Sequence, residues 1–537
     1  MFLSEKQYKD LDLDFIFERI KVETPYGELE KRGALPFKRS ELSSLEQVFD
    51  VLEKVMVLLE DKRYEILELK SIFKNIKQLS STYERIEMEE VLSVTELFEI
   101  KVMAMLMKQI SGVLDRMGWV KRGLRDALEP VDEVIHILDP ERTGTQSFYI
   151  YDKYSETLRG IRKAIKAQEL RVHEQTEIIK QTLDAKALKI KNNGDIQIQK
   201  SAREQLAFAA SYEKIEYQSE MPTTVIYRIK QDPAIKETLE RLTIKEEEEE
   251  YLIRTELSSA LKAHLECLVE NANRIGRLDY LLARATFSKA FDCTRPKLNC
   301  EGKVSIKSGR HLKVANRLAL EKKRYTPIDV KINEKVTLIT GANMGGKTVS
   351  LKMIGLLVAM AHYGIFLPCE SAEISLFDFV FISVGDSQSI DMGLSTFGGE
   401  IREIAKVLKR TDQHGFILID ELARGTNPLE GYAISKALIE HLAESGLITV
   451  ITTHYDGLTN LKNVDHYQVK GLSEVDFSHL AGEKSMKLLH ELMDYRLVRV
   501  NQLKEIPKDA IRISEFMGLE HKIIEKAKVI LGGSNGE

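Results

Sequence analysis

Apolar residues recur every three or four positions through most of the first 145 residues. The clearest runs are LEQVFDVLEKVMVLLEDK (45–62) and VTELFEIKVMAMLMKQISGVLDRM (94–117), and each predicts an amphipathic helix. Pro130 and Pro140 punctuate the end of this block. From Tyr151 to Leu183 a long helical pattern follows, with Leu158, Ile161, Ile165, Ile178 and Leu183 near one face. The segment LKIKNNGDIQIQ (188–199) then alternates around Asn193-Gly194, which is a hairpin signal. A second long helical pattern through Leu257, Leu261, Leu265, Leu268, Ala272 and Ile275 runs back. Two long helices flanking a small, partly β tip predict a hairpin arm, although an ordinary coiled-coil packing element has the same pattern. The acidic run Glu246–Glu250 predicts a solvated helix face, since like charges stay hydrated.

The texture changes near residue 300. Short β-rich runs, KVTLIT (335–340), FVFISVG (379–385), GFILID (415–420) and LITVITTH (447–454), alternate with helical ones, which predicts a largely parallel sheet with helices on its faces. The last stretch, IRISEFMGLEHKIIEKAKVIL (511–531), returns to a helical pattern. The expected architecture is multidomain, an all-α core with a long helical lever or clamp arm followed by an α/β P-loop domain. Its expected blocks are a helical core at 1–145, lever helices and a short tip at 146–290, the α/β domain at 291–475 and a helical tail at 476–537.

Composition narrows this picture modestly. A chain of 537 residues is too long for a single core. A net charge of −5 excludes a protein that is basic all over, so any nucleic-acid contact must come from a local patch. Cys267, Cys293, Cys300 and Cys369 form no CxxC or Cys/His cluster, so neither a disulfide framework nor a zinc site is indicated, and reduced thiols in a cytoplasm are the default. The first twenty residues carry charges where a signal peptide needs an apolar core, and MIGLLVAMAHYGIFL (353–367) is too short to span a bilayer. The expectation is a soluble, cytoplasmic chain with no membrane partner.

The chemistry sits in the β-rich half. Gly341-Ala-Asn-Met-Gly345-Gly346-Lys347-Thr348 matches GxxxxGK[ST] between an apolar strand and a helical pattern, the setting in which such a loop cradles phosphates. Its glycines let backbone N–H groups curl around phosphate oxygens at a helix N-terminus. Lys347 is expected to reach the β- and γ-phosphates and the Thr348 hydroxyl to ligate Mg²⁺. The strand GFILID ends in Asp420 and Glu421. The first suits Mg²⁺ held through water, and the second suits a general base that orients the attacking water. The next strand ends in Thr453 and His454, and a neutral His there can both donate and accept, as a γ-phosphate sensor must.

These residues resemble the MutS ATPases of the ABC superclass. The resemblance rests on TGANMGGKT (340–348), GDSQSIDMGLSTFGGEI (385–401), ILIDELARGTNPLEG (417–431) and TTHYDGL (452–458), in that order. The stretch at 385–401 resembles the bacterial paralogue that carries an Smr nuclease tail more closely than it does the mismatch-repair protein. A fainter similarity extends to LDLDFIFERIKVETPYGE (11–28), GRLDYLLARATFS (276–288) and MGLEHKIIEKAKVIL (517–531). The resemblance implies that Gly341, Asn343, Gly345, Gly346, Lys347 and Thr348 bind ATP and Mg²⁺, and that Asp420 and Glu421 serve the metal and catalysis. It further implies that Ser395 contacts the γ-phosphate of a partner subunit's ATP, so that ATP binding closes a homodimer through the ATPase domains and hydrolysis reopens it. Tyr325 lies where an aromatic ring could stack on adenine.

The departures are equally informative. No mismatch-reading domain precedes the helical core and no Phe-x-Glu occurs, so intrinsic mismatch recognition is not expected; no Smr domain follows, so cleavage of nucleic acid is not expected. Between Tyr151 and Arg203, 12 Lys and Arg face 7 Asp and Glu, a local excess of positive charge on an acidic protein. Sequence-independent DNA binding needs such phosphate neutralisation, and Lys186, Lys189, Lys191 and Lys200 near the hairpin are its candidates. The same charges would also decorate an ordinary exposed helix. Two readings of the motor follow: a DNA clamp acting in repair or recombination, or a clamp that grips a protein client. In the second, the chain resembles the ATPase subunit of a reactivating chaperone for adenosylcobalamin-dependent lysine aminomutase.

Overall fold

The computed structural model describes residues 1–341, 346–384, 396–410, 412–423, 426–455, 457–458, 461–471, 493–500, 509–516 and 518–533. The chain divides into two compact units, each assembled from separate stretches of sequence: 75–114 with 127–274, and 1–74 with 115–126 and 275–537.

The first of these units holds the arm. Its two long helices, Glu156–Asp184 and Pro233–Lys262, pack side by side. Ser155 caps the first by accepting from the Leu158 N–H, and Asp232 caps the second by accepting from Ala234. Between them lies a three-stranded antiparallel sheet of β1 (Ile196–Gln199), β2 (Ile215–Glu220) and β3 (Thr224–Ile229), in the order β1-β3-β2. The short helix Arg203–Ser211 joins β1 to β2, and Ile196, Ile198, Ala209, Ile215 and Tyr227 form a small core with Ile179, Leu183 and Leu188. The hairpin expected at Asn193-Gly194 is present: Gly194 has φ +82°, the Lys191 N–H donates to Asp195 O at 2.9 Å, and Ile190 bridges Ile196.

Three readings of the arm change. Ile178 is 63% exposed and Ile179 points inward instead, because Ile179 and Leu183 lie four residues apart on one stripe while Ile178 sits about 100° round the helix. The returning pattern is two helices, Pro233–Lys262 and Leu265–Ala290, broken at Ala263-His264. The acidic run is only half solvated. Arg162 of the facing helix pairs with Glu246 at 2.7 Å and Glu250 at 2.6 Å, and the Ser155 hydroxyl donates to Glu249 at 2.5 Å, while Glu247 and Glu248 stay exposed. Residues three and four apart share a helix face, so a run of five acids necessarily turns some of its members toward the neighbouring helix.

The second unit carries two sheets. A smaller one joins β4 (Lys297–Asn299), β5 (Val304–Gly309), β6 (Ile328–Ile332) and β8 (Ser371–Ser375) in the order β4-β8-β5-β6. The larger comprises β7 (Val336–Thr340), β9 (Phe379–Ser383), β10 (Gly415–Ile419), β11 (Ile448–Thr452), β12 (Val464–Gly471) and β13 (Asp494–Arg499), ordered β13-β12-β7-β11-β10-β9. Strands β9 to β12 and β7 run parallel, and β13 closes one edge antiparallel. Every residue of β7, β10 and β11 is buried, which is why these strands read as unbroken apolar runs. The helices Lys347–His362 and Pro428–Glu444 follow β7 and β10, as the alternating texture predicts. Residues 494–499, within the stretch read as helical, form β13, because DYRLVR finds an open edge at β12.

Candidate nucleotide site

The C-terminal ends of β7, β10 and β11 lie side by side, so the three motifs of the sequence converge. The Thr453 N–H donates to Ile339 O at 3.0 Å and the Asp420 N–H to Ser383 O at 2.9 Å, which keeps these ends level. Gly341 and Gly346 flank the phosphate loop with φ of +129° and +84°, values that a side chain would strain. Gly346 is the N-cap of the helix Lys347–His362, so that helix points its N-terminus at the loop. Asn343 and Gly345 lie outside the described residues, as does Ser395.

Lys347 is 3% exposed; its Nζ donates to Gly341 O at 2.8 Å and stands 3.9 Å from Glu421 Oε1. A chain of hydrogen bonds then links the motifs. Thr348 Oγ1 donates to Asp420 Oδ2 at 2.8 Å, Thr452 Oγ1 donates to Asp420 Oδ1 at 2.7 Å, and Thr452 Oγ1 accepts from the Glu421 N–H at 2.7 Å. Both carboxylate oxygens of Asp420 are thereby aimed, and the backbone of Glu421 is tied to β11. Glu421 and Ala423 have φ of +50° and +60°, an unusual turn for residues with side chains that throws the Glu421 carboxylate off the strand line. His454 is exposed, its ring centroid lies 4.5 Å from that of Tyr455, and the Tyr455 hydroxyl donates to Ala423 O at 3.4 Å.

Among the described residues, the structure thus brings Gly341, Gly346, Lys347, Thr348, Asp420 and Glu421 together, with His454 at the end of the adjacent strand. A hydroxyl and a carboxylate in direct contact are hard oxygen donors of the kind Mg²⁺ takes, so Thr348 and Asp420 fit that ion. Tyr325 lies just before β6, and burial pushes its phenol up to about 12. Lys186, Lys189, Lys191 and Lys200 are all exposed at the arm tip, but Lys200 pairs with Glu220, Lys191 donates to Gln197, and Lys186 lies over the Phe208 ring.

The sequence motifs do not single out Thr452 or Glu400. Thr452 stands in TTHYDGL, where its hydroxyl gives no sign of its partners 31 and 32 residues away. Glu400, on the helix Thr396–Leu408, has its carboxyl pushed up to about 7 by burial and by the Asp420 carboxylate. Its place five residues after Ser395 in the signature stretch is the available clue.

Residues 337–532 match the family model of MutS domain V. The chain is 36% identical over 300 residues to an Endonuclease MutS2 of Caldanaerobacter subterraneus subsp. tengcongensis, covering 55% of this chain and 35% of that protein. It is 32% identical over 410 residues to the Endonuclease MutS2 of Halalkalibacterium halodurans, covering 74% of this chain and 49% of that protein. With the Endonuclease MutS2 of Clostridium botulinum (strain Okra / Type B1) it shares 34% identity over 302 residues, 55% of this chain and 36% of the relative. The chain therefore spans between a third and a half of the length of these curated relatives. None of the three names supports the chaperone alternative.

Proposed function

We propose, on the premise that residues 337–532 are a MutS domain V, that this chain is a MutS-type ATPase whose cycle of ATP binding and hydrolysis closes and opens a clamp on DNA in repair or recombination. The observation that carries this reading is the hydrogen-bonded series Thr348–Asp420–Thr452, which orients the Asp420 carboxylate beside Thr348, with the Glu421 backbone tied to Thr452 and its carboxylate 3.9 Å from Lys347 Nζ. Bound Mg²⁺ would draw charge from the phosphate oxygens, with Thr348 and Asp420 holding it. The chain's own residues supply the rest. Lys347 exchanges its bond to Gly341 O for one to the β- and γ-phosphates, Glu421 orients the attacking water and accepts its proton, and His454 contacts the γ-phosphate. Ser395 acts on the partner subunit's ATP, which makes the chain a homodimer through its ATPase domains. The name of the relatives, together with the exposed lysines of the arm tip, favours DNA as what the clamp holds.

Two measurements test the proposal. Glu421→Gln is expected to bind ATP as tightly as the parent, to hydrolyse it at least about a hundredfold more slowly, and to accumulate as a dimer in size-exclusion chromatography; normal turnover would refute the assignment of the base. Duplex DNA binding is expected to weaken steeply with salt. Replacing Lys186, Lys189, Lys191 and Lys200 by Ala should flatten that slope by up to about four. A chain that binds no duplex at low salt would remove DNA from the reading and leave the ATPase assignment standing.

A further inference from the structure

A groove of 1020 Å³ opens on the arm, between its two long helices and the tip. Glu156–Asp184 lines one wall with Val172 and Ile179, and Pro233–Lys262 lines the other with Ile235, Leu239 and Ile244. Along each helix the lining positions fall three or four apart, at 172, 176 and 179 and at 235, 239 and 243, so each helix turns one continuous stripe toward the groove. Ile190 of the hairpin and Ile229 at the end of β3 line it at the tip. Apart from Ile179, these apolar side chains keep part of their surface in solvent, and Ile244 is 56% exposed. Nearer the base of the arm the same two helices meet directly, where Arg162 pairs with Glu246 and Glu250. The apolar stripes of a helix pair ordinarily close on each other; toward the tip these two line open space instead.

Charge is spread unevenly along the groove. Lys180, Lys191, Arg228, Lys230 and Lys236 all stand toward the tip. The other end holds Val172, Gln175, Thr243 and Ile244, and no cation among the described residues lines it. Three acids share the lining, and each is already engaged. Asp232 accepts from the Ala234 N–H as a helix cap, Glu177 lies 3.4 Å from Lys180, and Glu240 lies 3.9 Å from Lys236. Lys230 has no side-chain partner among the described residues. The tip end is therefore locally basic, on a chain whose net charge is −5. A DNA backbone does not match this arrangement. Phosphates seek cations along their whole length, whereas valine, isoleucine and leucine are matched only by another apolar surface.

We propose that this groove docks a short amphipathic helix of a partner protein, apolar on one face and acidic at its C-terminal end. Apolar residues at i, i+3 or i+4 and i+7 of the guest would sit between the two stripes and complete a three-helix packing. From Ile235 to Ile244 the wall runs about 14 Å at 1.5 Å per residue, which suits about two to three turns of guest helix. The acids come last because the negative pole of the guest helix then also faces Lys230. This inference stands apart from the ATPase reading, since every residue it uses lies in the unit that holds the arm.

Panning a phage-displayed library of random peptides, about twelve residues long, on the full chain tests it, with a counter-screen on the double variant Lys230→Glu, Lys236→Glu. Both lysines are exposed, so the reversal of charge leaves the fold intact, and a melting curve checks this. Selected clones are expected to share apolar residues at helical spacing followed by Asp or Glu. A synthetic peptide of their consensus, followed by fluorescence anisotropy, is expected to bind the double variant about tenfold or more weakly than the parent. Ile244→Glu, at an exposed position, should weaken it similarly. A consensus without acids, or equal affinity for parent and double variant, overturns the proposal. So does a selection in which no clone distinguishes the two. If duplex DNA or laurate, and no peptide, loses its binding in the double variant, the groove has a different occupant and the proposal is likewise refuted.

Discussion

His362, the last residue of the helix that leaves the phosphate loop, makes the stability of the unit that carries the two sheets depend on pH in a calculable way. Its ring is fully buried; Nδ1 lies 2.7 Å from Phe37 O, and Nε2 accepts from the Phe377 N–H at 3.2 Å. These two bonds require the neutral tautomer with the proton on Nδ1, because a protonated ring has no acceptor left for Phe377. Burial pushes the ring from 6.5 down to about 4, against the weaker opposing pulls of the Phe37 carbonyl and the Asp378 carboxylate. The folded state therefore binds fewer protons than the unfolded state between pH 6.5 and about 4, and stability falls as pH drops through that window. At about 1.4 kcal/mol per tenfold, the loss is about 2 kcal/mol at pH 5 and about 3 kcal/mol at pH 4. The single tryptophan, Trp119, is buried in the same unit, so its fluorescence reports unfolding of the structure that holds His362. Urea titrations at pH 7 and pH 5 on the parent and on His362→Gln isolate the contribution. The Gln amide can still donate and accept but does not titrate, and every other group, His466 included, cancels in the comparison. The parent should lose about 2 kcal/mol more than His362→Gln between these pH values; equal losses would refute the reasoning.

Two further substitutions probe the site and the packing elsewhere in its unit. Thr452→Val removes the hydroxyl that bridges Asp420 and the Glu421 N–H; a bond to a charged group is worth about 1.5–3 kcal/mol, so kcat should fall about tenfold or more while Thr452→Ser stays near the parent, and a Val variant with normal turnover would show that the bridge is idle. Gly276→Ala should lower the melting temperature of the same unit, because a methyl there would sit 2.7 Å from Tyr26 O and 2.9 Å from Tyr26 C, backbone atoms that cannot swing aside; about 1–3 kcal/mol is expected, and an unchanged melting curve would contradict the packing.

The motifs that converge at the candidate site are legible in the sequence. Its parts are local: a glycine loop between an apolar strand and a helix, and acids at the end of an unbroken apolar run, are each written in fewer than ten residues. The buried parallel strands are legible for the same reason, since a strand covered on both faces needs no partner to look apolar. The helices of the arm can be read from their period, but not which residue of each turn faces inward. Ile178 and Ile179 differ by one position, and only the packing of the tip core chooses between them.

What the amino-acid sequence determines by itself, then, is the set of local parts: the phosphate loop, the acids Asp420 and Glu421, the apolar strands and the amphipathic helices. Only the tertiary structure decided how they work together. Thr452 joins Asp420 to Glu421 because β10 and β11 are neighbours, an adjacency that no spacing in the chain records. Arg162 turns two of the five acids of the run from solvated surface into a helix contact, because charges 84 and 88 residues away fold onto it. Tyr495 reaches Gly346 because β13 completes the sheet edge beside β12. The physical reason is common to all three: backbone periodicity and loop chemistry act over a few residues, whereas hydrogen bonds and ring contacts form between whatever the packed core brings within a few ångströms.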